Sequence, residues 1–138
     1  MAELVPYLGF GGNAREVMQF YHGIFGGELK IQSMGESPMA AMFPAEVQNN
    51  VLHSVLQSDA IHMYASDMSD PAMLLPGEKV SLCIVCMSKE ELDTFYAKLS
   101  EGGKAEHPPK EEFFGTFGDL VDKYGFRWMV QFGMGGDK

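Results

Sequence analysis

Two stretches of the chain place apolar side chains at the spacing of one helix face. The first begins after Asn13, a residue type that caps helices, and ends at Gly26 and Gly27, which favour the conformation of a helix terminus. The second begins at Ser88, with a glutamate three residues later as in a capping box, and ends near Gly102. We therefore predict two amphipathic helices, with apolar faces formed by Val17, Phe20, Tyr21 and Ile24 in the first and by Leu92, Phe95, Tyr96 and Leu99 in the second.

The second half of the chain repeats the pattern of the first. Asn13 and Ser88, Tyr21 and Tyr96, and five further matched pairs are each 75 positions apart. One strand-like run precedes each helix and three follow it, so each half is predicted to be a βαβββ module. The last strands match at an offset of 65, because the first half has about ten extra residues near 34–50. These residues are predicted to form a long loop over a pocket. The predicted strands are 6–10, 28–33, 51–57 and 61–65, then 81–85, 104–107, 116–121 and 126–132.

The length of the chain bounds its domain organisation. With 138 residues it corresponds to about one domain, and half that length would bury little apolar surface alone. Residues 69–79, which include two prolines, are a predicted linker inside one fold rather than a domain boundary. We therefore predict one domain over 1–138, with a first module over 1–68 and a second over 79–134.

Charge and composition exclude several classes of protein. The formal net charge is −9 and no basic cluster is present, so the surface would repel nucleic acid. No apolar run approaches the ~20 residues of a membrane span, and the first residues lack the basic start of a secretory signal. Cys83 and Cys86 provide no disulfide framework, and on a strand they would point to opposite faces. We expect a cytoplasmic protein that binds neither nucleic acid nor membrane.

Several motifs together resemble one family. They are PYLGFGGNAREVMQFYHGIFGGEL at 6–29, His53 at the start of a strand, Ala-Ser-Asp at 65–67, Glu111, and FGDLVDKYGFRWMVQF at 117–132. With the tandem modules, they resemble the PhnB-like branch of the vicinal oxygen chelate superfamily, which includes glyoxalase I, bleomycin-resistance proteins and extradiol dioxygenases. The resemblance implies an α+β fold in which tandem βαβββ modules form a curled mixed sheet cup with the helices outside. It also implies a homodimer.

In the metal-using proteins that this chain resembles, the first and last strands of each module supply the metal ligands. Carried over, these positions are Pro6 and Ser81 on the first strands and Tyr64 and Met129 on the last, with His62 as the alternative to Tyr64. A catalytic metal site needs about three imidazole or carboxylate ligands, which this set lacks. We therefore predict no metal ligands and no cofactor.

Candidate ligand-binding residues lie mainly on the predicted strands. His53 and His62 could face the cup as an acid/base or anion-binding pair, or be ordinary sheet residues. Glu111 could complete an aromatic pocket wall, or be a solvated charge beside core aromatics. Arg127 could bind an anion, but Arg127 and Trp128 cannot both face the cup because side chains alternate along a strand. The predicted ligand-binding set is His53, His62, Tyr64, Glu111, Phe114, Arg127 and Trp128, and no catalytic residue is assigned.

Two classes of function are consistent with these residues. The missing metal donors favour a metal-free protein that binds an unidentified small molecule in a pocket inside the cup. The alternative is a metal-dependent lyase or dioxygenase of the vicinal oxygen chelate type. Some proteins that this chain resembles carry the label demethylubiquinone methyltransferase, but the glycines at 9, 11 and 12 do not form the G-x-G-x-x-G loop of a cofactor site. We therefore disfavour that activity.

Overall fold

The computed structural model describes residues 4–68, 80–112 and 115–133. Its contacts divide the chain into two compact units, Met1–Leu75 and Pro76–Lys138, and each contains four strands and one α-helix in the order βαβββ. The boundary falls within the predicted linker, and residues 69–79 lie outside the described residues. The predicted α+β class with tandem βαβββ modules is confirmed.

The first module is one mixed sheet with a helix on one face. Its strands lie in the order β1-β4-β3-β2, with β1 parallel to β4 and the other neighbours antiparallel. Between β2 and β3, the extra residues of this half form three short 3-10 helices rather than a longer element. The elements are β1 (Tyr7–Gly9), α1 (Ala14–Phe25), β2 (Glu28–Ser33), β3 (Val51–Gln57) and β4 (His62–Ser66), with 3-10 helices at Met34–Glu36, Ala40–Met42 and Ala45–Val47.

The core of the first module lies between α1 and the sheet. Val17 and Tyr21 of the predicted helix face are fully buried, and Phe20 and Ile24 are half-buried at its margins. Because side chains alternate along a strand, every second strand residue points toward this core. The residues between them point to the opposite face, which we call the helix-free face. The buried strand residues on the helix side include Leu8, Leu56, Met63 and Ala65.

Helix α1 is capped by a residue distant in sequence. The helix starts at Asn13 as predicted, since this is its N-cap residue, but the prediction that the Asn13 side chain caps it is wrong, because that side chain makes no capping hydrogen bond. Instead, Asp67 Oδ1 accepts hydrogen bonds from the main-chain N–H groups of Gly12 at 2.8 Å and Ala14 at 3.0 Å. Asp67 Oδ2 accepts from the Val51 N–H at 2.8 Å. This buried carboxylate, which also suits the positive end of the helix dipole, therefore joins the start of α1 to the start of β3.

The second module has the same architecture. Its strands lie in the order β5-β8-β7-β6, with β5 parallel to β8 and the other neighbours antiparallel. Its helix starts as predicted, because Ser88 Oγ accepts from the Glu91 N–H at 3.0 Å. Neither α-helix in the described part of the chain has the length and apolar character that crossing a membrane requires. The elements are β5 (Leu82–Val85), α2 (Lys89–Leu99), β6 (Lys104–Glu112), β7 (Gly115–Val121) and β8 (Arg127–Phe132).

The core of the second module forms around Trp128. Its side chain is only 1% exposed, and its Nε1–H donates to Asp122 Oδ2 at 2.8 Å. Asp122 Oδ1 accepts from the main-chain N–H groups of Tyr124 and Phe126 at 2.9 and 3.0 Å, which closes the turn between β7 and β8. The predicted apolar face of α2 contributes Leu92, Tyr96 and Leu99, all buried, while Phe95 is half-buried.

The two cysteines lie in different environments, as the strand spacing predicts. Cys83 is exposed and Cys86 is buried, and both are free thiols. Burial, with smaller effects of Glu91 and Cys83, raises the pKa of the Cys86 thiol to about 11. A thiol that remains protonated at neutral pH is a poor nucleophile, so Cys86 is a structural residue.

Strand β6 extends through a segment predicted to be a loop. The sequence predicts a strand over 104–107, and the two prolines that follow favour a loop from the end of that strand, but β6 continues to Glu112. Prolines are tolerated here because β6 is an edge strand, where one side of the backbone has no ladder partner. The pairing with β7 shifts register on both sides of His107, between Lys104 and His107 and again between His107 and Lys110. The strand over 104–107 is therefore confirmed, whereas the loop expected where His107 precedes the prolines is wrong.

The strand registers correct one offset of the predicted internal repeat, because the first strands match at 76 positions and not at the 75 expected from the helices. Ala65 on β4 and Val130 on β8 are both buried and lie 65 positions apart, in agreement with the predicted offset of the last strands. Their parallel partners are Leu8 and Ile84, which are 76 positions apart, whereas the helices match at 75. The connection between the first strand and the helix is therefore one residue shorter in the second module.

Candidate functional site

The helix-free face of the first sheet carries four aromatic and imidazole side chains, which we call the ring cluster: Tyr7, His53, His62 and Tyr64. They stand on β1, β3 and β4, at positions that alternate with the buried residues. Tyr7 pairs with Tyr64 across the two parallel strands and is 58% exposed, whereas the other three are half-buried. The structure thus brings together three of the predicted site residues, and adds Tyr7.

Tyr64 is at the centre of the ring cluster. Its ring centroid lies 5.1 Å from that of His53, 5.4 Å from that of His62 and 5.8 Å from that of Tyr7. The corresponding interplanar angles are 58°, 88° and 79°, so the neighbouring rings meet Tyr64 edge-on or tilted. Such contacts are favourable and fix the orientation of the rings.

The ring cluster also carries hydrogen-bonding groups. Tyr7 Oη lies 3.5 Å from His53 Nδ1, a long hydrogen bond at the exposed end of both side chains. A phenol both donates and accepts, and an imidazole does the same through its two nitrogens. The cluster therefore combines planar apolar surface with polar groups able to bind an oxygen atom.

The second sheet carries a charged group, which we call the carboxylate cluster: Glu106, His107, Asp119 and Arg127. The Arg127 Nη1–H donates to Glu106 Oε1 at 2.8 Å, and the same nitrogen lies 3.7 Å from Asp119 Oδ1. His107 Nδ1 lies 2.8 Å from that Asp119 oxygen. An anionic ligand at Arg127, as predicted from the sequence, would have to displace the carboxylates of its own module.

Within the carboxylate cluster, Glu106 favours its ionised form. The hydrogen bond from Arg127 lowers the pKa of the Glu106 carboxyl, and nearby positive charges add to this effect against a partial opposing effect of burial. On the opposite side, the Tyr96 Oη–H of α2 donates to the Asp119 main-chain oxygen at 3.0 Å. Burial is the main reason that the pKa of Tyr96 is raised. Glu106 is thus an anionic side chain on β6. The neighbouring strand β7 is held to α2 by the hydrogen bond from Tyr96.

The remaining predicted site residues have different surroundings. Glu111 is exposed near the end of β6, opposite Thr116 of β7. Phe114, like Phe113, lies outside the described residues. Trp128 belongs to the core of the second module. This agrees with the second of the two sequence interpretations, in which the aromatic residues near Glu111 are core residues and not a pocket wall.

The positions carried over from metal-using proteins also change. With an offset of 76 between the first strands, the residue that corresponds to Tyr7 is Cys83. In register, Tyr7 pairs with Tyr64 and Cys83 pairs with Met129, so these are matched positions of the two sheets. The sequence points to Pro6 and Ser81 instead only if the helix offset of 75 is applied to the strands as well. Tyr7 could have been found by alternation along the first strand.

The glycine-containing turn before α1 does not offer a free anion site. Two of its main-chain N–H groups, those of Gly12 and Ala14, donate to Asp67 Oδ1. A phosphate bound there would have to displace this buried carboxylate. The structure therefore supports the sequence interpretation of a strand-to-helix turn rather than a phosphate-binding loop.

The two modules define an α+β protein with the glyoxalase/bleomycin resistance fold. A glyoxalase/bleomycin resistance protein/dioxygenase family enzyme from Burkholderia phytofirmans PsJN shares it, with a TM-score of 0.62 at 14% identity over 93% of this chain and 97% of that chain. At this identity, the likeness shows the fold alone. The chain belongs to the 3-demethylubiquinone-9 3-methyltransferase family, whose model matches residues 2–131, and within the superfamily it is PhnB-like, as the resemblance implied.

More similar proteins match over nearly the whole chain. The crystal structure of PA1353 from Pseudomonas aeruginosa is 32% identical, with a TM-score of 0.82, over 96% of this chain and 98% of that chain. A Bacillus cereus structure, described as a putative 3-demethylubiquinone-9 3-methyltransferase, PhnB protein, is 26% identical with a TM-score of 0.71, over 95% and 99%. Protein YjdN of Escherichia coli K12 is 28% identical over 145 residues, 92% of each chain. The family unit therefore contains both modules.

Proposed function

We propose that this protein binds a small molecule on the ring cluster of the first module. The observation that carries the proposal is the grouping of three rings around Tyr64 on the helix-free face, with Tyr7 more than half exposed. Ligand sites are mostly apolar and aromatic, with a few polar groups that fix orientation. The ring cluster has this composition within a single module.

The chemistry of the cluster favours a planar, conjugated ligand that carries an oxygen acceptor. Planar rings stack on or meet the edges of tyrosine and imidazole rings. The Tyr7 hydroxyl and the His53 imidazole, 3.5 Å apart, can then donate hydrogen bonds to the ligand oxygen. A saturated ligand with the same oxygen group would keep the hydrogen bonds but lose the ring contacts.

The experiment compares two probes on the full chain. We expect 2-naphthoate to raise the thermal unfolding temperature and to bind more tightly in calorimetry than cyclohexanecarboxylate, which has the carboxylate without the planar ring. His53→Ala and His62→Ala should each weaken 2-naphthoate binding about fivefold, the equivalent of about 1 kcal/mol for one ring contact. Both variants should keep nearly wild-type stability, because neither ring is part of the buried core.

The matched control is His22→Ala. His22 lies on α1 and its Nε2 is 3.0 Å from the Gly27 oxygen, so it is outside the ring cluster. This variant should bind 2-naphthoate as the wild type does. Equal affinity for the two probes would contradict the proposal, as would large destabilisation by the His53 and His62 substitutions without any change in binding.

We also propose that the protein is a cytoplasmic homodimer. The dimer rests on the family resemblance, and the exposed apolar side chains of Val85 and Met87 are groups that a partner chain would cover. The location rests on the two free cysteines and on the 11 methionines, which suit a reducing compartment. Light scattering after size-exclusion chromatography should give twice the 15.2 kDa chain mass, and a monomer mass would refute the dimer.

A further inference from the structure

Strand β6 brings two consecutive residues to one acidic partner. Consecutive strand residues normally point to opposite faces. Glu106 and His107 nevertheless both approach Asp119 of β7, since ligand atoms of the three residues lie within 4.8 Å of one another. The register shift between Lys104 and His107 explains this, because a bulge re-aims a side chain.

These three side chains are good ligands for a transition-metal dication. Zinc binds imidazole nitrogen and carboxylate oxygen at about 2.0–2.2 Å, so two ligand atoms in tetrahedral geometry lie about 3.4 Å apart. His107 Nδ1 and Asp119 Oδ1 are 2.8 Å apart, and the third ligand atom is within 4.8 Å. The His107 side chain is 73% exposed, so its ring can adjust without disturbing the core.

We propose that Glu106, His107 and Asp119 form a zinc site on the second module. Among the described residues 4–68, 80–112 and 115–133, these are the three histidine, cysteine or acidic side chains whose ligand atoms come this close. The site uses β6 and β7, not the first and last strands that supply metal ligands in the superfamily. Two carboxylates and one imidazole leave a fourth zinc position for water or another ligand.

Arg127 limits the affinity of this site. Its guanidinium donates to Glu106 Oε1 at 2.8 Å and lies 3.7 Å from Asp119 Oδ1, so it competes with the ion for both carboxylates. Lys104 adds a second positive charge, 3.7 Å from Glu106 Oε2. Removing the Arg127 charge should therefore tighten zinc binding, because like charges at this distance repel. Adventitious binding at another surface site would not respond in this way.

The test measures zinc binding to the full chain by equilibrium dialysis with elemental analysis. We expect saturation near one zinc per chain, with a Kd below about 100 μM. Glu106→Gln, His107→Gln and Asp119→Asn should each weaken binding about tenfold or more, and Arg127→Gln should tighten it about threefold or more. The control Glu112→Gln, on the same strand but paired with Lys110, should bind as the wild type does.

A second measurement identifies the histidine that binds. In proton NMR spectra, zinc should shift the imidazole resonances of His107 and leave those of His22, His53 and His62 in place. The proposal is overturned by the absence of saturable binding, by binding that survives His107→Gln, or by zinc-dependent shifts at another histidine. It is also overturned if Arg127→Gln does not increase the affinity.

Discussion

Replacing Asp67 by alanine should destabilise the first module far more than the small change in volume suggests. The Asp67 side chain is buried, and its two oxygens accept hydrogen bonds from three main-chain N–H groups at 2.8 to 3.0 Å. The substitution leaves all three donors without this acceptor. An unsatisfied buried donor costs about 1 to 3 kcal/mol, and two of the three donors, those of Ala14 and Val51, belong to buried residues. The total should therefore be about 4 kcal/mol, with only a small part from the exposed Gly12.

A loss of this size is a large part of the 5 to 15 kcal/mol by which a typical domain is stable. The assay is urea unfolding followed by far-ultraviolet circular dichroism. Amide hydrogen exchange adds a local readout, in which the Ala14 and Val51 amides should lose protection in Asp67→Ala. Asp67→Asn should fall between the wild type and the alanine variant, because the amide retains one of the two acceptor oxygens.

The matched control is Asp93→Ala on helix α2. Asp93 also makes a short contact, with its Oδ2 3.0 Å from Lys89 Nζ, but this ion pair is more than half exposed. Exposed pairs contribute about 0 to 1 kcal/mol, so the control should change stability little. If Asp67→Ala and Asp93→Ala cost the same, the three main-chain hydrogen bonds do not hold the module together and the reasoning fails.

Other substitutions test the second module. A thiol reagent should label the exposed cysteine of β5 and spare Cys86, whose pKa is raised to about 11, and peptide mass spectrometry that finds equal labelling would contradict its burial. The pKa of Cys86 lies above the ordinary value of 9.0, so the stability that the protonated thiol contributes is complete below pH 9.0 and is lost as the pH rises toward 11. Urea unfolding of the wild type and of Cys86→Ala at several pH values would show this loss as a shrinking difference between the two. Gly118→Ala should cost about 1 to 3 kcal/mol in urea unfolding, because a Cβ would lie 3.0 Å from main-chain atoms of β6. Gly23→Ala, with open space around a position inside α1, should instead raise stability by about 0.5 to 1 kcal/mol, because alanine favours a helix more than glycine does. Arg127→Gln should raise the pKa of Glu106 in an NMR titration, and an unchanged pKa would show that their hydrogen bond does not control it.

Local patterns predict much of this fold. Helix α2 starts at its predicted capping residue, and strands β2 and β3 have the predicted bounds. These features depend on residues close together in the sequence, so they can be predicted from it. The cap of α1 could not be predicted in this way, because Asp67 is 53 positions from Ala14 and meets it only after the sheet has formed.

The candidate sites show the same division. Alternation and the order of the strands suggested that His53 and His62 could share a face with Tyr64, and the structure places all three there. The carboxylate cluster was missed because alternation separates Glu106 from His107. The register shift between Lys104 and His107 brings the two side chains to the same partner, and no local sequence pattern predicts such a shift.

The two consecutive prolines of β6 have a consequence for self-association. An exposed edge strand presents unpaired backbone groups on which another chain can assemble into an extended sheet. Successive N–H positions alternate between the two sides of a strand, so one of Pro108 and Pro109 removes a donor from the outer side of β6. Lysines and glutamates flank this gap at Lys104, Lys110 and Glu112. The longest strand in the described part of the chain is thereby protected against acting as a template for aggregation.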